Sequence, residues 1–388
     1  MWEDLYPIID KMSEIQTSIL DFIDDNDEVN QQDSYENLVA IFEKEKNKHE
    51  LKLILYMLSR ISNEHHRCPD FFNKIFTFLD IIKDDIKKQF TSTDIFNIFK
   101  KNKRILLYFV ENEMINLNQK IINIICYGKF RRRNYHLYFL PEIKQISKEI
   151  SFKKEEEEEE ESTNFDYKRK IGENDSYICQ LIRNDLIDEF IIHVNQTNLS
   201  LSSKIIPSIY ETNHFLLKKD KVTLIEYAAF FGAVQIVKYL MINNAKSDTS
   251  LWDYAIHSNN AEMIHLLEND LIEKPKQSKF GQLFIESTKC YHDDISRYIR
   301  DNILQNEIAQ NIYNNSKLLK YYNFSCTKNI LDENLFFYHL VKYDYYIIVD
   351  FLLKNANIDV NSITSIRITV FYCIFILFSL IKLLPIFE

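Results

Sequence analysis

The chain of 388 residues contains only four glycines, Gly128, Gly172, Gly232 and Gly281, and no two are near each other. A phosphate-cradling loop or a dinucleotide fingerprint needs closely spaced glycines, so those enzyme classes are excluded. The six cysteines are scattered, with no C-x-x-C pair. Their spacing indicates neither a zinc site nor a disulfide framework and suits reduced thiols in a cytosolic protein. Basic charge is in deficit, with 47 lysines and arginines against 57 acids and a formal charge of −10. Phosphate binding rests on concentrated Lys and Arg, so nucleic acid is not the expected partner. The N-terminal M-W-E-D-L-Y-P-I-I-D is acidic and lacks the basic and apolar regions of a secretory signal.

What the chain does have is helical periodicity. Ile9, Met12, Ile15, Ile19 and Phe22 recur at steps of three or four, then Leu51, Ile54, Leu55, Leu58 and Ile61, then Phe72, Ile75, Leu79, Ile82 and Ile86. Asp33 and Glu36 have capping-box spacing, which predicts a second helix from Tyr35 to about Lys46. The basic cluster Lys129, Arg131, Arg132 and Arg133 reads as a solvated helix end or, functionally, as a nuclear signal or an RNA contact. Glu155 to Glu161 is an unbroken acidic run, expected to stay solvated as a linker.

The most regular stretch is Thr223 to Ala245, T-L-I-E-Y-A-A-F-F-G-A-V-Q-I-V-K-Y-L-M-I-N-N-A. Small Ala228 and Ala229 suit a close helix contact. Gly232 suits a stop, and Ile236, Val237, Leu240 and Met241 form a second apolar stripe. This helix–turn–helix pattern resembles the ankyrin repeat, with Leu224, Ile225, Glu226, Ala233 and Asn244 as departures. Asn244 replaces a terminal Gly but tolerates the same left-handed backbone. A second copy, S-L-W-D-Y-A-I-H-S-N-N-A-E-M-I-H-L-L, puts Ala255, Ile264 and Leu267 each 27 residues after Ala228, Val237 and Leu240. Looser copies place Leu181, Ile182, Asp185, Phe190 and Val194, then Ile295 and Ile299, then Ile348, Val349, Leu352 and Leu353. A degenerate copy begins at Thr93 if it is set against Thr223, with Ile98 and Phe99 on the alanine pair and Asn102 on the glycine. From residue 10 to 361, segments such as N-E-H-H-R, F-N-I-F-K-K-N-K-R-I-L-L and T-L-I-E-Y-A-A-F-F-G make the chain similar to the large protist (trichomonad-type) ankyrin-like family with a repeat-bearing domain of unknown function. That resemblance implies an intracellular ankyrin solenoid and no assigned reaction.

The expected architecture is therefore an all-α, ankyrin-like solenoid. Residues 1–150 form a degenerate helical domain, 151–170 an acidic linker, 171–361 the repeat domain, and 362–388 a hydrophobic tail. Ile368 to Ile381 is 14 residues without a charge. A bilayer span takes about 20, which residues 368–387 reach only by including Lys382 and Pro385. The tail suits a membrane anchor, a last buried helix, or a mistranslated end in place of further repeats.

Little here calls for catalysis. His65, His66 and Cys68 are the one dense ligand cluster, without a second cluster in sequence to complete a metal site. Cys290 and His292 lack an acid placed to orient the histidine. His257 and His265 read as surface or hydrogen-bonded structural residues. No cofactor and no enzymatic activity are expected. Stacked helix pairs leave a long concave surface, so an unidentified protein is the expected partner. Phe230 and Phe231 precede the turn glycine, where such folds present side chains to partners. Two readings stay open for them: partner anchors, or packing against the insertion from about Ser200 to Lys221. Trp252 is expected in the core.

Overall fold

A computed structural model describes residues 5–43, 46–127, 130, 133–146, 164–219, 222–269, 277–304, 316–325 and 336–355. Among these the chain is all-helical, apart from an isolated bridge between Lys204 and Thr223. The first half holds α1 (Tyr6–Asp24), α2 (Glu28–Phe42), α3 (Lys48–Glu64), α4 (Phe71–Ile81), α5 (Lys83–Gln89), α6 (Ser92–Phe99), α7 (Lys103–Glu111), α8 (Gln119–Cys126), α9 (Tyr135–Tyr138) and α10 (Leu140–Ile146). The apolar stripes at Ile9–Phe22, Leu51–Ile61 and Phe72–Ile86 are all buried, which is what orients these helices. Helix α2 starts earlier than the sequence suggests. Asp27 accepts from the Val29 amide and caps it, so Asp33 and Glu36 lie inside the helix and form no capping box.

The second half holds α11 (Phe165–Ile171), α12 (Tyr177–Arg183), α13 (Ile187–Thr197), α14 (Leu224–Phe231), α15 (Val234–Ile242), α16 (Leu251–His257), α17 (Ala261–Asn269), α18 (Gln277–Lys289) and α19 (Asp293–Tyr298). The last pair is α20 (Phe336–Lys342) and α21 (Tyr346–Asn355). Helices α12, α14, α16 and α18 pack in succession, and α13 packs on α15. Within the pairs α12–α13, α14–α15, α18–α19 and α20–α21 the turn is the same. A residue with left-handed φ (Asp185, Gly232, Tyr291 or Asp344) donates its amide three residues back, and the next residue donates five residues back. These two bonds are the Schellman arrangement, which satisfies the carbonyls left open where a helix stops. Only one of the four left-handed positions is glycine, so the shared turn is clearer in backbone than in sequence.

Core packing divides the chain differently from the sequence boundaries. One apolar cluster runs from Leu5 to Ile143 and also takes in Tyr291, Leu318–Phe324 and the α20–α21 pair. The other runs from Cys179 to Leu304. Thus the last pair, placed by its sequence at the far end of the repeat domain, packs back against α3. Tyr346 stacks on His49 at 3.7 Å, Tyr322 stacks on Tyr56 at 5.0 Å, and Tyr345 is fully buried. Helix α11 begins inside the predicted linker. Its Arg169 is buried and holds Glu142 and Asp166. The acidic run and the tail 362–388 lie outside the described residues. Among the described residues, no helix is long and apolar enough to cross a membrane.

Candidate functional site

The Thr223–Ala245 unit folds as its sequence reads. Thr223 and Glu226 form a reciprocal capping box at the start of α14. Ala228, Ala229, Val237 and Leu240 are fully buried, and Gly232 takes φ 71. Asn244 takes φ 56, as its resemblance to a terminal glycine implies. Ala255, Ile264, Leu267, Val349 and Leu352 are also buried, and Trp252 packs edge-on against Phe280.

The degenerate copy has a different register. Thr91, not Thr93, caps α6, through a box with Asp94, and the turn before α7 carries one extra residue. Counting five residues from each cap, Phe96 (91 + 5) takes the place of Ala228 (223 + 5).

Phe230 is not an exposed anchor. It is 3 % exposed and lies beneath the insertion, stacked on Phe215 at 5.9 Å and on His257 at 5.4 Å. The insertion closes over it because Ile205 and Ser203 bond to Val222 and Leu224, tying its two ends together. Phe231 is half-buried, with the Arg183 guanidinium 6.0 Å from its ring. Of the basic cluster, only Arg133 is described, and it lies 3.2 Å from His214.

The most concentrated chemistry lies where the two apolar cores meet, between the C-terminal ends of α1 and α3 and the α18–α19 turn. Glu64 and Lys289 are both buried and pair at 2.8 Å, and Lys289 also holds Glu286 at 2.6 Å. Burial pushes both carboxyls up, but their cationic partners outweigh it and hold them below the usual range; for Glu286 the His257 hydrogen bond leads.

Cys290, His257 and Glu286 come together as a thiol, an imidazole and a carboxylate, with His257 Nε2 to Glu286 Oε1 at 2.8 Å. The acid that the sequence did not reveal is therefore present, but it serves His257 and not His292. The arrangement does not activate the thiol. Sγ lies 3.4 Å from Nδ1 and 3.8 Å from Nε2 of His257. Cys290 is fully buried, and burial drives its thiol well above its ordinary range, away from the thiolate a nucleophile needs.

A second group joins His65 and His66 to His292. Cys68 is left out of it, its thiol donating to the Ile23 carbonyl at 3.1 Å. His65 is the C-cap of α3 and His292 the N-cap of α19, just after the left-handed Tyr291. The sequence hides this meeting because the partners are far apart in the chain. The one local signal was the adjacent pair His65–His66 at a helix exit. His265, by contrast, is exposed and pairs with Glu268.

No family model, curated protein or solved structure matches this chain.

Proposed function

We propose that the chain is a non-enzymatic protein-interaction scaffold, with its helix pairs stacked as an ankyrin-like solenoid. The observation that carries this reading is the succession α12, α14, α16, α18, each helix packed on the next and three of the four followed by the same two-bond turn. Units that bury their stripes only against neighbours leave an extended outer face free for a partner. The sealed thiol of Cys290 supports a non-catalytic role. Exposed apolar side chains on the pairs, Ile192 on α13 and Ile242 on α15, are candidate contacts with a partner protein. Affinity recovery with the full chain, quantified by mass spectrometry, tests the reading. The expected result is a protein recovered in proportion to the bait, reduced at least about tenfold by Ile192→Ser with Ile242→Ser at an unchanged Tm. Equal recovery by an unrelated helical bait overturns it.

The charge-free run Ile368–Ile381 favours a second reading, a tail-anchored membrane adaptor. Carbonate extraction separates the two, since full release to the soluble fraction removes the anchor.

A further inference from the structure

We propose that His65, His66 and His292 form a binding site for a divalent transition metal of the zinc class, joining the N-terminal core to the α18–α19 turn. One ligand nitrogen from each of the three rings lies within 4.8 Å of the other two. Two ring nitrogens here, His66 Nδ1 and His292 Nε2, are buried without a hydrogen-bond partner. An orphaned polar atom in a buried site is costly, on the order of 1–3 kcal/mol, and three imidazoles gathered at one point repel one another once charged. A metal ion removes both costs.

The surroundings suit a ligand set. His292 Nδ1 donates to the Ile256 carbonyl at 2.9 Å, which fixes the tautomer and leaves Nε2 with its lone pair. His65 Nδ1 lies 2.9 Å from the Cys290 carbonyl and donates to it. Outer partners of this kind orient metal-binding imidazoles. Burial first, and the neighbouring imidazoles second, press the His66 and His292 rings toward the neutral form that ligates. In the metal-free chain Asp24 Oδ1 holds His65 Nε2 at 2.8 Å and lies 3.5 Å from His66 Nε2, so His65 must exchange this hydrogen bond, and its Nε2 proton, for the metal, leaving Asp24 beside the ion as a compensating negative charge. Tetrahedral zinc holds imidazole nitrogens at about 2.0–2.1 Å, spacing them roughly 3.4 Å apart, so no pair of rings has to close by more than about 1.4 Å on binding. The other cluster, His257, Glu286 and Cys290, offers less. Its acid is already neutralised by Lys289, and burial holds the Cys290 thiol away from the thiolate that ligates.

The test uses the purified full chain stripped with a chelator and titrated with zinc alone against a competing chelator. We expect about one equivalent to bind with three imidazole ligands and Tm to rise with free zinc. His66→Gln and His292→Gln each weaken binding by at least about tenfold, while His265→Gln leaves it unchanged. If His292→Gln fails to fold, His66→Gln carries the test, because that ring is partly exposed, and a native metal-free circular dichroism spectrum is the expected check. Cobalt in place of zinc gives visible bands without thiolate charge transfer. Absence of zinc binding by the native chain, binding undiminished in His66→Gln, or a thiolate charge-transfer band, which assigns the metal to Cys290, overturns the proposal.

Discussion

The turn between α6 and α7 is closed by a side chain within it, and the turn between α14 and α15 by main-chain bonds, with Asp185 capping the start of α15 from outside. In the first, buried Asn102 donates to the Ser62 carbonyl of α3 at 2.9 Å and accepts from the Ile105 amide at 3.1 Å. In the second, Gly232 and Ala233 close the helix with two main-chain bonds. The helix contacts differ in the same sense. Phe96 and Phe99 fill the α6 contact with rings, whereas Ala228 and Ala229 let the backbones of α14 and its neighbours approach. A turn made by backbone tolerates sequence change and so recurs at Asp185, Tyr291 and Asp344. A turn made by one asparagine depends on the helix it reaches. The N-terminal half uses the two-bond turn as well, at Glu113 after α7, but its α6–α7 turn rests on Asn102.

The sharpest break in this comparison falls on the seam between the halves. Lys289→Met leaves buried Glu64 and partly buried Glu286 beside each other without their shared cation. We expect a loss of about 3–5 kcal/mol, measured by denaturant unfolding. Within the regular half, Phe230→Ala empties a site covered by Phe215 and costs about 3–5 kcal/mol. A change below about 1 kcal/mol in the same assay would mean that the insertion does not cover the ring.

Acid separates the halves by another route. The folded-state His66 is lowered to about 4 from 6.5. Between these values the unfolded chain binds more protons than the folded one, so stability rises with pH across this window. Lowering the pH of metal-free protein from 6.5 to 4 is thus expected to cost up to about 3 kcal/mol from His66. His292 shifts in the same direction. Glu64 and Glu286 are lowered carboxyls, so their stabilising share is present above about pH 4.5 and is lost as the pH falls through their folded values. A melting curve for His66→Gln that keeps the full slope between pH 6.5 and 4 would remove His66 as a source.

Smaller changes refine the contrast in packing. Ala228→Leu overpacks the close contact and is expected to cost about 1–3 kcal/mol, whereas Phe96→Leu, keeping an apolar side chain in the ring-filled contact, costs less than about 1.5 kcal/mol. Equal losses would dissolve the distinction between the halves. Gly232→Ala forces a left-handed alanine and costs about 1–2 kcal/mol. Its new methyl meets Ser258 and Asn260 only at 3.4 Å, so backbone strain supplies most of that cost.

The sequence by itself determined the helices and their buried faces, because an apolar stripe at a period near 3.6 records which side must leave water. It also determined the α14–α15 unit, where the capping box of Thr223, the alanine pair and Gly232 are local devices readable in order. The start of α2 lies upstream of the Asp33–Glu36 spacing because Asp27 takes the cap position. The register of α6 starts two residues earlier because the Thr91–Asp94 box caps it, and the extra residue in the following turn then leaves α7 one residue out of step. Only the tertiary structure decided the rest. The burial of Phe230 depends on the insertion folding back, and the return of α20–α21 onto α3 depends on aromatic surfaces at opposite ends of the chain. The same holds for the Glu64–Lys289–Glu286 network and the gathering of His65, His66 and His292. Local periodicity carries no signal for contacts between residues so far apart, and the folded chain alone brings them within bonding distance.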